Sequence, residues 1–125
     1  MWLIDKFSRV PIYEQIITGI ETDIANGTAH AGDRLPSLRE LSVNLGLNPN
    51  TIQKAYADLM TRGVIQSAPG LGYYIADAAH ALVCEKKADR LSQLSEVCAD
   101  LRMAGIPLET VLQTVKTVYE EGKEQ

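Results

Sequence analysis

The chain has 125 residues, 46% hydrophobic and 22% charged. That composition suits one compact domain with a small appendage, and it excludes a largely disordered chain or a large catalytic core beside a second full-sized domain. A formal net charge of -4 excludes a protein that coats nucleic acid regardless of sequence, but not one that reads a specific site through a local basic face. No apolar run reaches the roughly 20 residues of a membrane span, and Asp5 and Lys6 interrupt the N-terminus too early for a secretory signal, so the chain reads as cytoplasmic.

The first predicted helix runs from about Pro11 to Asn26, because Ile12, Ile16, Ile20 and Ile24 recur every four residues and Gly27 supplies a stop. Ala31 to Pro36 reads as a connecting loop. Ser37 and Glu40 then stand in the capping-box relation that opens a helix to about Leu45, with Leu38, Leu41 and Leu45 as its buried side. After Gly46, Asn48 is a preferred N-cap and Pro49 a preferred first helical residue, so a third helix runs from Pro49 to Arg62. Two short helices joined by a glycine-containing turn make a helix-turn-helix. On the third helix Ile52, Ala55, Tyr56 and Leu59 follow the inward pattern, which leaves Asn50, Gln53, Lys54, Ala57 and Thr61 outward.

Beyond Gly63 the pattern becomes alternating. Val64 to Ser67, a turn through Ala68-Pro69-Gly70-Leu71-Gly72, and Tyr73-Tyr74-Ile75 read as a β-hairpin, the wing of a winged helix. From about Ala78 to Ala104 the chain is helical and free of glycine, and Cys84, Leu91, Leu94, Cys98 and Leu101 fit a heptad seam. Gly105 breaks it, and Pro107 opens a last helix with Leu108, Val111, Leu112, Val115, Val118 and Tyr119 on a broad apolar face. Two helices alone bury little area, so this antiparallel pair is expected to dock on its copy in a second subunit. The expected architecture is mainly α, a winged helix-turn-helix over residues 1–76 and a two-helix dimerization segment over 77–125. Cys84 and Cys98 lie 14 residues apart, about 21 Å along a continuous helix at about 1.5 Å per residue, too far for an intrachain disulfide.

Arg34, Arg39 and Lys54 cluster around the two helix starts, where a phosphate backbone would run. The expected DNA-contacting set is Arg34, Ser37, Arg39, Asn48, Asn50, Thr51, Gln53 and Lys54, with Gly70, Leu71 and Gly72 of the wing. Asn and Gln suit bidentate contacts to adenine and Thr suits a thymine methyl, which points to important A·T pairs in each half-site. His30 and His80 have no ligand-spaced companions. No phosphate-cradling glycine loop, metal-spaced cluster or nucleophile with a base points to an enzyme or to a bound cofactor.

From Pro11 to Ile75 the sequence resembles the winged-helix domain of the GntR family of bacterial transcription regulators. The resemblance is carried by Pro11-Ile12-Tyr13, Gln15-Ile16, Gly32, Leu35-Pro36-Ser37, Arg39-Glu40-Leu41, Leu47-Asn48, Asn50-Thr51, Ala55-Tyr56, Leu59, Gly63, Ile65, Gly70 and Gly72. The short helical C-terminal segment resembles the YtrA-type branch, whose members end in a small dimerization module. The resemblance implies a homodimeric regulator, most often a repressor, on a two-fold symmetric operator, with Arg39 at a position that contacts DNA. Pro49 and Gln53 stand where the family often carries arginines on the recognition helix, and Pro69 and Leu71 replace basic or polar wing residues. A small-molecule effector is compatible with this reading, though no residue identifies one. The alternative is a winged helix that binds a protein partner, for which the acidic balance speaks.

Overall fold

The computed structural model describes residues 2–123. Helix α1 spans Ile12–Ala25 and buries Ile16, Ile17, Ile20 and Ile24 along one stripe. An N-terminal arm is strapped across it by Gln15, whose Nε2 donates to the carbonyls of Asp5 and Val10 at 2.9 Å while its Oε1 accepts from the Asp5 amide. Trp2 closes the strap, donating from its indole to Asp23 Oδ2 at 2.9 Å and lying against Gly19, where a Cβ would come within 2.5 Å of the ring.

Helices α2 (Leu38–Leu45) and α3 (Pro49–Thr61) form the helix-turn-helix. Gly46 ends α2 at φ +64, a left-handed conformation that glycine adopts without a Cβ penalty. The Ser37 hydroxyl caps α2 by accepting from the Glu40 amide at 3.0 Å, and Asn48 Oδ1 caps α3 by accepting from the Asn50 amide at 2.9 Å. Leu41, Ile52, Ala55, Tyr56 and Leu59 are buried, whereas Leu38 and Leu45 are half-buried at the edge of the core. The Tyr56 hydroxyl donates to the Pro36 carbonyl at 2.6 Å, and its ring meets Tyr73 edge-on at 4.9 Å. This ties the recognition helix to the segment before α2 and to the sheet.

The loop expected over Ala31 to Pro36 is corrected by the structure. Arg34–Leu35 form a strand, β1, beside β2 (Ile65–Ala68) and β3 (Gly72–Ile75), and the three make an antiparallel sheet in the order β1-β3-β2. Arg34 pairs with Tyr74 and Leu35 with Tyr73. Two residues carry too little alternation to be read as a strand, and their partners lie far along the chain. The β2-β3 hairpin turns through Pro69 and Gly70, with Gly70 at φ +77 and the Leu71 amide donating to the Ala68 carbonyl at 2.9 Å, as in a type II turn.

Helix α4 spans Ala79–Met103 and α5 spans Leu108–Lys123. The chain divides into compact units at Lys86 and Lys87, eleven residues beyond the end of the hairpin at Ile75, because Ala79 and Val83 of α4 are buried in the core of the first unit. In the second unit Cys98 and Arg102 of α4, Ile106 of the turn, and Leu108 and Val111 of α5 line one concavity. Leu91, Leu94, Leu108, Leu112 and Val115 stay exposed, and Cys98, Leu101 and Val111 are half-buried. A heptad seam reaches close packing against a partner helix, and the exposed positions of this one are open to such a partner. Cys84 lies on α4 within the first unit, exposed, with its Sγ 3.6 Å from His80 Nε2, apart from the other seam residues. Among the described residues, no helix is long and apolar enough to cross a membrane.

Candidate nucleic-acid interface

The helix caps decide what the front of α3 presents. Asn48 commits one lone pair of its carboxamide oxygen to the Asn50 amide, which fixes the orientation of its side chain at the start of α3. Asn50, Gln53, Ala57 and Thr61 are exposed on the outward face of α3, and Thr51 is half-buried at its first turn. Thr61 turns its hydroxyl back to the Ala57 carbonyl at 2.9 Å, which leaves Asn50 and Gln53 as the exposed amides free for base edges.

Lys54 is exposed but turned toward α1. Its Nζ sits 3.9 Å above the Tyr13 ring, a cation–π geometry that holds the ammonium at the flank of the recognition helix. The Tyr13 hydroxyl donates to Glu14 Oε1 at 3.3 Å, and the Glu14 carboxylate is the chief cause of a phenol pKa above its ordinary value. The sequence placed Lys54 on the outward face and gave Tyr13 only as one of the residues carrying the family resemblance, with no contact between the two.

Arg39 is exposed in the first turn of α2 and makes no ion pair among the described residues. Ser37, Arg39, Glu40, Val43 and Asn44 line an open groove beside it. On the other side Arg34 lies on β1 with its guanidinium over the wing, and a Cβ on Gly72 would stand 3.3 Å from its Nε. Leu71 is 64% exposed at the tip of the wing, and the Tyr74 hydroxyl donates to its carbonyl at 3.1 Å, which stiffens the turn. Arg39, the outward amides of α3 and the glycine-bearing wing are thus all carried by the first compact unit, in the arrangement of a winged helix.

A model of the gntR family of bacterial regulatory proteins matches residues 12–75. The chain belongs to the GntR family. It is 37% identical over 121 residues to the HTH-type transcriptional repressor YtrA of Bacillus subtilis, covering 96% of this chain and 93% of that protein. It superposes on a GntR family transcriptional regulator from Listeria monocytogenes with a TM-score of 0.73 at 34% identity, over 91% of this chain and 98% of the other. A DNA-binding domain of AraR, solved in complex with operator ORR3, aligns over 61% of this chain and 95% of its own with a TM-score of 0.52 at 26% identity. This GntR-family protein is therefore a winged-helix transcription regulator, and its relatives are regulators, not enzymes.

One cluster in the GntR-family fold had no counterpart in the sequence reading. Glu21 on α1 is 2% exposed and accepts from Arg62 Nη1 at 3.1 Å and from Lys86 Nζ at 3.0 Å. Arg62 also donates from Nε to Asp58 Oδ1 at 2.8 Å, and its Nη2 is buried with no partner among the described residues. Burial works against the Arg62 charge, but hydrogen bonds to Asp58 and Glu21 outweigh it and keep the guanidinium pKa above its ordinary value. These partners are 41 and 65 residues from Glu21, a separation that periodicity cannot bridge.

Proposed function

We propose that this regulator acts as a repressor by binding a two-fold symmetric operator as a homodimer, with one copy of α3 in each of two successive major grooves about 34 Å apart. The carrying observation is the outward face of α3, where Asn50 and Gln53 are exposed, in a unit that also carries an exposed Arg39 and the wing. Arg39 and Arg34 supply phosphate positioning, with Ser37 and Thr51 beside the helix starts. Asn50 and Gln53 read A·T pairs, Asn48 approaches the DNA from the cap of α3, and Lys54 meets the backbone at the flank. Gly70, Leu71 and Gly72 follow the minor groove by shape, since none carries a charge.

The operator-bound AraR domain supports the DNA reading, and the similarity to the YtrA repressor supports repression. For dimerization the support is the apolar surface left on the second unit, where Leu91, Leu94, Leu108, Leu112 and Val115 are exposed and Cys98, Leu101 and Val111 half-buried. Binding DNA places the regulator in the bacterial cytoplasm. The test is selection of bound duplexes from a random library, followed by salt titration of the enriched sequence. A palindrome whose affinity falls steeply with salt is the expected result. No enrichment from a folded, dimeric sample would overturn direct operator reading and favour a protein partner.

A further inference from the structure

The hairpin of β2 and β3 is a wing without charge. Residues 65–75 include no Lys, Arg, Asp or Glu, so no charged side chain of the hairpin meets a phosphate. Its tip is apolar, with Leu71 64% exposed and Gly70 and Gly72 placing no side chain on either side of it. The tip is also stiff, because the Leu71 amide donates to the Ala68 carbonyl at 2.9 Å while the Leu71 carbonyl accepts from the Tyr74 hydroxyl at 3.1 Å. We infer that Leu71 is a wedge that enters the minor groove and parts one base step, which makes the identity of that step a specificity element of each half-site. This rests on the operator reading above.

The minor groove is about 6 Å wide, and a turn of bare glycine backbone lets one branched side chain lead into it. An isobutyl group gives no hydrogen bond to a base edge, so it gains only by leaving water for apolar surface, which an opened base step offers. Side chains inserted in this way kink the duplex, and the cost is lowest at the flexible TA and CA/TG steps. The cation that the wing lacks stands at its root. The Arg34 guanidinium lies beside Gly72, with Nε and Nη2 at 3.3 and 3.7 Å from where a Cβ would be, placed for a phosphate at the groove edge. Tyr73 of β3 meets Tyr56 of α3 edge-on at 4.9 Å and pairs with Leu35 of β1, so the wing is in register with the recognition helix. Leu71 therefore falls at one offset from the bases that face Asn50 and Gln53.

The probe is the duplex enriched from the random library, with the positions flanking each half-site left random, and then the same duplex carrying 2-aminopurine in place of the adenine of the preferred step. The full-length wild type should enrich a TA or CA/TG step at a constant offset in each half-site and should raise the 2-aminopurine fluorescence on binding, since unstacking relieves quenching. Leu71 is exposed, so Leu71→Ala leaves the core intact. That variant should enrich the same A·T pairs and keep the salt slope, because it loses no phosphate contact, yet lose the fluorescence rise and at least threefold of the preference for the flexible step. Leu71→Met, which keeps an apolar tip, should restore both. An enriched palindrome with no step preference, or a step preference and fluorescence unchanged in Leu71→Ala, would overturn the wedge while leaving the operator reading intact. No enriched duplex at all would overturn the operator reading itself.

Discussion

The guanidinium of Arg34 lies so close over Gly72 that a Cβ there would stand 3.3 Å from its Nε. Arg34 belongs to β1 and Gly72 opens β3, so the segment leading into α2 and the wing are held at a fixed separation by a residue with no side chain. Gly72 also sits at φ +108, which side-chain-bearing residues rarely adopt. Gly72→Ala therefore meets both obstacles. We expect it to destabilise the fold by about 1–3 kcal/mol and to weaken DNA binding by displacing the wing, read by thermal melting and by titration with the selected duplex. Wild-type affinity at wild-type stability would show that the wing does not contribute.

Arg39→Ala should weaken binding to the selected duplex at least several-fold and reduce the slope of log affinity against log salt by about one unit, with no change in thermal stability. The side chain is exposed and makes no ion pair among the described residues, so its loss leaves nothing unsatisfied in the fold. Unchanged affinity at physiological salt would remove Arg39 from the interface.

Asn48 and Asn50 separate stability from recognition. Asn48→Ala removes the cap on the Asn50 amide and should cost about 1 kcal/mol of stability. Asn50→Ala removes no side-chain bond seen in the fold, so it should leave the melting temperature nearly unchanged while relaxing preference at one position of each half-site. Calorimetry and a repeat of the duplex selection distinguish the two, and a reversed pattern would exchange their roles.

Tyr56 makes stability depend on alkaline pH. Burial chiefly, with smaller effects of Tyr73 and Glu40, raises its phenol pKa well above the ordinary 10.0. Below pH 10 the phenol is protonated in both folded and unfolded chains, and its contribution is fully present. As pH rises above 10 the unfolded chain ionises first, so that stability is progressively lost until the folded phenol also ionises. Tyr56→Phe should abolish that component and cost about 1–2 kcal/mol at neutral pH, because the Pro36 carbonyl loses its donor. Denaturant titrations at pH 7 and at pH 11 give both quantities, and identical pH dependence in the two proteins would contradict the assignment.

Trp2 is the only tryptophan in the chain and reports on the N-terminal arm. Gly19→Ala places a Cβ within 2.5 Å of its ring, while alanine favours the helix at that position by about 1 kcal/mol over glycine. We expect the indole to be displaced, with a red shift in its emission, and α1 to remain intact by circular dichroism. An unshifted spectrum would mean that the ring accommodates the methyl group in place.

The four-residue repeat of isoleucines, the Ser37 and Asn48 caps, the glycine at position 46 and the switch to alternation after Gly63 are local signals. Each appears in the fold where its chemistry requires, and together they made the helix-turn-helix and its hairpin legible in the sequence. The inward and outward faces of α3 were legible for the same reason, since one helical period sorts them. Caps and periodicity act over a few residues, so the amino-acid order alone determines them. Pairings between distant segments were decided only by tertiary structure: Arg34–Leu35 becoming an edge strand, Lys54 turning back onto Tyr13, and Glu21 gathering Arg62 and Lys86. Sequence periodicity says which face a side chain occupies, but which charge it meets there depends on how separate elements pack, and a carboxylate on an exposed-looking helix becomes a buried junction only when two other helices close over it.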